Sequence, residues 1–374
     1  MYVSSKLPPM GRSQFTDHLR LAASMLQAKQ ADLAALGACR DVIVYAFGAC
    51  GKNLAHQLRA IGVNCVIYDN SKSAVASAAA AGFDVTARLD LDLPVIVAAG
   101  QHQNAILGEL DSPAFSLVEA LYAFDLVSSY GRARPFADGI RQRADELYDW
   151  YSRIDPACRS EFLSVLQFRA SLEVLHLAGR HTPVSRMWVP PKPVGALRSF
   201  CDVGAYDGDT LASMKSAFPG LISTCAIEPN PDLVAGIEAT AARLGLANRT
   251  FQGVAWSGKA RLSVDTLPNG MMVVTEDPAG RIDADALDHI VGNDVYEYVK
   301  FDVEGSEIAA LDGARALLRR ARCVAVASYH YADDLVDIPN HVAELIELKR
   351  DKNWKCAFHH YSECMEDSIF YFYR

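Results

Sequence analysis

Cys201-Asp-Val-Gly-Ala-Tyr-Asp-Gly-Asp-Thr210 decides how the second half of the chain is read. The stretch sits where a short apolar run, the length of a buried strand, turns into a helix. Gly204 and Gly208 let the backbone bend sharply there and approach a ligand closely. Asp202 ends the strand, where its carboxylate can accept from an ammonium group. A pyrophosphate would ask for a glycine-rich turn aimed at its oxygens. A carboxylate beside bare backbone suits a cationic ligand better.

Two further stretches fall in register with the first. Ile227-Glu-Pro-Asn-Pro231 closes the next apolar run, so Glu228 stands about twenty residues beyond the glycine turn, the spacing at which an acid holds ribose hydroxyls. Lys300-Phe-Asp-Val-Glu-Gly-Ser-Glu307 again follows a strand. Open parallel sheets collect ligands at the carboxyl ends of their strands, which brings Asp302 and Glu304 to the same edge. Ala327-Ser-Tyr-His330 ends one more run and adds His330. Strands are expected at 200–203, 224–227, 250–255, 298–301 and 323–328, with helices between them. The runs 355–358 and 369–373 are expected to close the chain as an antiparallel hairpin.

Together these stretches resemble the FkbM-type methyltransferase family, over about residue 198 to the end of the chain. Arg281-Ile-Asp-Ala-Asp-Ala-Leu-Asp288, Ser328-Tyr-His330 and His359-His360-Tyr361 resemble its other signatures. The resemblance implies a class I methyltransferase sheet and S-adenosylmethionine as cofactor. The donor would be held by Asp202, Gly204, Ala205, Tyr206, Asp207, Gly208, Thr210, Glu228, Pro229, Asn230 and Asp302. It also implies methyl transfer to an oxygen on a sugar, glycan or natural-product acceptor. The acceptor hydroxyl must lose a proton as the new bond forms. His330 is the first candidate base, because its ordinary pKa lies near neutrality. Asp302 and Glu304 are the alternatives. The segment 359–367 is expected to be a loop lining the acceptor pocket. A divalent ion among His359, His360, Asp302 and Glu304 is the less ordinary reading, since no tight ligand spacing supports it; no metal is expected.

The first half repeats the strand–helix rhythm. Strands are expected at 41–47, 63–68 and 95–99, helices at 51–61 and 71–81, and a helical arm over 14–36. Tyr45-Ala-Phe-Gly-Ala-Cys-Gly51 reads A-x-G-x-x-G at a strand-to-helix turn, and Asp69 ends the next strand. This is a Rossmann-like fingerprint in which Ala46 replaces the first glycine. Gly48, Gly51 and Asp69 are candidates for holding a dinucleotide or nucleotide-sugar; the plainer reading is a scaffold that binds nothing. Gln101-His-Gln-Asn104 reaches the same edge. From 132 to about 179 the spacing is helical, with Asp155-Pro156 opening one helix, and Val189-Pro-Pro-Lys-Pro193 is extended. The fold expected is therefore α/β. A Rossmann-like domain over 1–130 and a methyltransferase domain over 198–374 are joined by a helical connector, 131–197.

The composition narrows the partners. With 374 residues the chain has room for two domains, and a net charge of −9 argues against a nucleic-acid partner. Met1 to Arg12 lacks the pattern of a signal peptide. No apolar run is long enough to span a bilayer. The nine cysteines form no CxxC pair and read as reduced thiols, so the chain reads as cytoplasmic, with no membrane partner. A second copy of the chain is a candidate partner, and apolar segments between Leu110 and Phe136 are candidates for an interdomain or dimer contact. Two other function classes fit parts of the pattern. A nicotinamide-dependent oxidoreductase would work from Gly48 and Asp69, and a non-catalytic donor- or nucleotide-sugar-binding protein would bind without methyl transfer.

Overall fold

Short runs rich in valine, isoleucine and alanine, each bounded by a turn, fold here as parallel strands buried on both faces. The computed structural model describes residues 10–89, 92–110, 114–126, 133–178, 186–266 and 272–374. The expected boundary near residue 130 and most of the N-terminal stretch 1–12 lie outside them.

The first sheet holds β1 (Asp41–Tyr45), β2 (Asn64–Tyr68), β3 (Asp84–Val85), β4 (Val95–Val97) and β5 (Ala114–Ser116). Its order is β3-β2-β1-β4-β5 and every pairing is parallel. The helix Ala49–Ala60 follows β1 and buries Leu54, Ala55 and Leu58.

The second large sheet holds β6 (Ser199–Val203), β7 (Ser223–Glu228) and β8 (Ala247–Gln252). A small sheet follows, of β9 (Val254–Trp256), β10 (Ala260–Thr266), β11 (Met272–Glu276) and β12 (Ile282–Ala286). The large sheet then resumes with β13 (Tyr298–Phe301), β14 (Cys323–Ala327), β15 (Lys355–His360) and β16 (Ser368–Tyr373). Its order is β15-β16-β14-β13-β6-β7-β8. Only β16 runs against its neighbours, pairing antiparallel with both β14 and β15. The closing antiparallel hairpin stands where the sequence predicts it.

Three details depart from the expectation. The single strand expected over 250–255 is two strands in different sheets, parted at Gly253. The helical arm is two helices, Arg12–Ala28 and Gln30–Gly37. The connector is a layer rather than a linker. Helices Ala133–Gln142, Ala144–Arg153 and Arg159–Ser171 pack with Arg12–Ala28. The last of them is buried nearly all round, through Phe162, Val165, Leu166, Phe168 and Arg169. Phe162 meets Phe358 and Phe370 edge-on at 4.9 and 5.9 Å, so this layer covers the outer hairpin. All nine cysteines are free thiols. Among the described residues no helix is long and apolar enough to cross a membrane.

Candidate active site

β6 lies between β7 on one side and β13 on the other, so the chain leaves it in opposite directions and a crevice opens at its carboxyl end. Three loops meet there, after β6, β7 and β13. Gly204, the first residue beyond β6, has φ +85°, and a Cβ on it would stand 1.8 Å from the carbonyl oxygen of Asp302. The loops after β6 and β13 can close on each other only because that position has no side chain. Tyr206 (φ +48°) and Glu304 (φ +55°) hold the same left-handed conformation without being glycine. Strained residues of this kind gather where a site is being shaped.

Glu228 ends β7 and is buried. Its Oε2 accepts the Tyr206 N–H at 3.0 Å and its Oε1 the Asn230 N–H at 2.8 Å. The carboxylate thus fixes the glycine turn as well as facing the crevice. Burial pushes its pKa up, against those two backbone donors. Asn230 caps the helix Pro231–Arg243, accepting from the Asp232 N–H, with Pro231 in its first turn. Asp207 and Asp209 perform the same turn-closing work one loop earlier, Asp209 accepting from the Thr210 N–H and hydroxyl. Ala205 and Gly208 are buried, whereas Tyr206 and Asp207 are exposed and Pro229 is half-buried.

Asp202 is fully buried, and the ammonium that it meets belongs to the protein. Lys300 Nζ lies 2.8 Å from Asp202 Oδ1 and donates to the Gly204 carbonyl at 2.7 Å. Burial raises the Asp202 pKa to about 6, against the pull of Lys300. The second oxygen, Oδ2, is buried with no hydrogen-bond partner among the described residues. Lys300 lay inside a quoted motif, but its role was not legible from the sequence. Register Lys300↔Asp202 between β13 and β6 is what creates the pair.

Around His330 the structure gathers carboxylates. Nδ1 of His330 lies 3.0 Å from Glu307 Oε1, while Nε2 faces Asp302 Oδ1 at 3.7 Å and Glu304 Oε2 at 3.9 Å. Glu307 also accepts the Val303 N–H at 2.9 Å, and Tyr329 donates its hydroxyl to Asp302 at 3.0 Å. Burial pulls the imidazolium pKa down. Glu307 first, then Asp302 and Glu304, more than reverse this and hold it at about 9. His330 is therefore cationic at neutral pH. Burial pushes Glu307 up, but His330 brings it below the ordinary carboxylate range. Two more acids ring the group, buried Asp334 and half-buried Asp367, each raised by desolvation to about 7. Asp302, Glu307 and His330 each bring one ligand atom to within 4.8 Å of the others. Glu307 closed a quoted motif without being singled out as a site residue.

His359 and His360 do not join this cluster as loop residues. They end β15, paired in register with Ile369 and Ser368. His359 Nδ1 lies 2.7 Å from Glu161 and His360 Nδ1 lies 3.0 Å from Ser368. Burial drops the His360 pKa to about 3, with help from nearby Arg169. The loop is consequently shorter than expected, 361–367. Arg169, fully buried, donates to the Met365 carbonyl of that loop at 2.9 Å and lies 5.0 Å from the Phe136 ring, so Phe136 is spent on a contact within the chain.

Residues 202–353 match the family described as Methyltransferase FkbM domain. The chain carries an FkbM methyltransferase domain. In three dimensions the chain is similar to a methyltransferase FkbM from Methylobacillus flagellatus KT, at 18% identity and a TM-score of 0.74, over 97% of this chain and 100% of that one. The shared fold therefore takes in both sheets and the helical layer along with the FkbM domain. A putative rRNA-methylase from Clostridium thermocellum is also similar, at 8% identity and a TM-score of 0.32, over 51% of this chain and 90% of that one. No curated protein matches the chain in sequence.

Proposed function

We propose that the chain is an S-adenosylmethionine-dependent O-methyltransferase whose acceptor is a hydroxyl on a sugar, glycan or natural product. The observation that carries this reading is the charge of the crevice. Glu228, Asp302 and Glu304 stand at the carboxyl ends of β7 and β13, the strands that flank β6, and the nearby lysine, Lys300, is spent on Asp202. Such a set suits a cationic donor and would repel a pyrophosphate. The buried Glu228 carboxylate retains lone pairs for two ribose hydroxyls beyond its two backbone donors. Asp302 follows β13 directly, at the same edge of the sheet.

The bound donor supplies a methyl group activated on a sulfonium. The acceptor oxygen forms the new C–O bond, the C–S bond breaks to a neutral thioether, and the hydroxyl proton must leave. The 3.7 and 3.9 Å separations of His330 Nε2 from Asp302 and Glu304 are too long for direct hydrogen bonds, and a hydroxyl approaching from the side can reach the imidazole and a carboxylate together. Glu307 holds Nδ1, so Nε2 is the nitrogen turned to that space. His330 accepts the proton once its own has been lost, and the carboxylates around it stabilise the imidazolium that results.

Transfer of labelled methyl from S-adenosylmethionine, run against a panel of hydroxyl, amine and thiol acceptors, tests the class of reaction. Hydroxyl acceptors should be methylated, with kcat rising as pH climbs from 6.5 towards 9. His330→Gln should lower kcat by about 10²–10⁴-fold and flatten that rise. Transfer only to amines or thiols, or a wild-type profile flat above pH 6.5, contradicts the assignment.

A further inference from the structure

The first sheet repeats the construction of the second around a different opening. β1 is followed by Ala46, which takes φ +78°, the conformation that Gly204 takes after β6. Asp69, at the end of β2, accepts the Phe47 N–H on Oδ2 and the Ser71 N–H on Oδ1, each at 2.7 Å. Glu228 grips Tyr206 and Asn230 in the same pattern: one N–H from the turn, one from two residues beyond the acid. The two glycines of the fingerprint differ in what they do. A Cβ on Gly51 would stand 1.9 Å from the Ala46 carbonyl oxygen, so packing of helix on strand requires that glycine. A Cβ on Gly48 would meet nothing within 4 Å, and Gly48 has φ −72°. Among the described residues, nothing comes within 4 Å of where that Cβ would stand. Gly48 caps the twelve-residue helix Ala49–Ala60 and, having no side chain, brings no capping hydrogen bond to the helix's first N–H groups.

A second, independent feature faces the same edge. Gln103 is 1% exposed and follows β4. Its Nε2 donates to the Glu363 carbonyl at 2.5 Å, which fixes the amide's orientation. Its Oε1 is buried with no hydrogen-bond partner among the described residues. Gln103 lines a cavity of about 280 Å³ with Ala49, Cys50, Asn53, Leu121 and Glu366. An orphan acceptor in a mostly apolar cavity asks for a ligand that brings a donor. Inorganic phosphate has none to offer at neutral pH beyond one acidic proton, whereas a ribose or a base edge has several.

We propose that the N-terminal domain binds a nucleoside diphosphate, with the phosphates on the Gly48–Gly51 helix end, and the ribose or base donating to Asp69 and Gln103. This does not depend on the methyl-transfer reading. The partner of Gln103 belongs to the loop 361–367, whose far end, Asp367, lies close enough to Asp302 and His330 to feel the repulsion of the one and the attraction of the other. A ligand in the first domain is thus separated from the methyl-transfer cluster by one loop.

Calorimetric titration of uridine diphosphate, adenosine diphosphate and pyrophosphate into the full chain decides it, with Gly48→Asp, Gln103→Leu and Glu228→Ala as variants. Aspartate is a favoured helix cap, so Gly48→Asp should fold at least as well as wild type while setting a negative charge where the phosphates belong. The expected result is binding of at least one diphosphate, tighter than pyrophosphate. Gly48→Asp and Gln103→Leu should each weaken it about tenfold or more, with Glu228→Ala without effect. A melting temperature for each variant separates lost binding from lost folding. Absence of binding to wild type, equal binding of pyrophosphate, indifference to Gly48→Asp, or loss in Glu228→Ala in place of the first-domain variants would each overturn the proposal.

Discussion

Asp202 and Lys300 stand far apart in the chain and meet at 2.8 Å in the core of the site. Removing one member of a buried pair leaves the other charge without compensation, which costs about 3–5 kcal/mol. Lys300→Met should therefore destabilise the protein by that order in denaturant unfolding, and adding Asp202→Asn should restore most of it. A Lys300→Met variant as stable as wild type would contradict the pairing. The His330 prediction also has a stability counterpart with a definite sign. Its folded pKa of about 9 lies above the ordinary histidine value near 6.5. The stabilisation it contributes is complete below pH 6.5 and lost as pH rises through 9. At this scale the sequence exposed the chemistry-bearing residues but not their partners. Asp202, Glu228, Asp302 and His330 declare themselves by sitting at strand ends. Lys300 and Glu307 acquire meaning only when sheet order and a helix turn bring them against Asp202 and His330, and no spacing in the chain encodes that.

Among the elements, the two turns that follow β1 and β6 carry the most information. Both take a left-handed residue at their first position, glycine in one and alanine in the other. Gly204→Ala should be severe. A left-handed alanine costs about 1–2 kcal/mol, and overlap with the Asp302 carbonyl about 1–3 more. Ala46→Gly should leave stability within about 1 kcal/mol of wild type, because relief of strain is offset by the looser unfolded chain. Thermal melts of the two variants check both. The strands that position these turns were legible as apolar runs bounded by glycine, proline and asparagine. The edge strand β3 of the first sheet and the strand β9 of the small sheet were not: they are two and three residues long, too short for alternation to register. The break at Gly253 looks from the sequence like the interior of one strand. The histidines of β15 were misplaced for a related reason, since a polar pair at a strand end reads the same as the start of a loop.

Over the whole molecule, the helical layer decides what can stand alone. Trp150 packs on Phe370 and Phe372, and Phe162 on Phe358, so the outer hairpin is covered by residues from the connector. A fragment of residues 198–374 would expose that aromatic face. It should aggregate or melt without a cooperative transition, where the full chain melts with one; a sharp, wild-type-like transition of the fragment would contradict the layer's structural role. The two α/β rhythms made the pair of sheets readable, but helical spacing alone says nothing of what a helix packs against, so a connector and a shared core look alike in sequence.

The central claim concerns the donor, and its most direct test is a calorimetric titration of S-adenosylmethionine and its demethylated product into wild type and Glu228→Ala. The account predicts micromolar binding of both to wild type, about −8 kcal/mol, and loss of at least tenfold in the variant, whose melting should report a folded protein. A well-folded wild type that binds neither compound would contradict it.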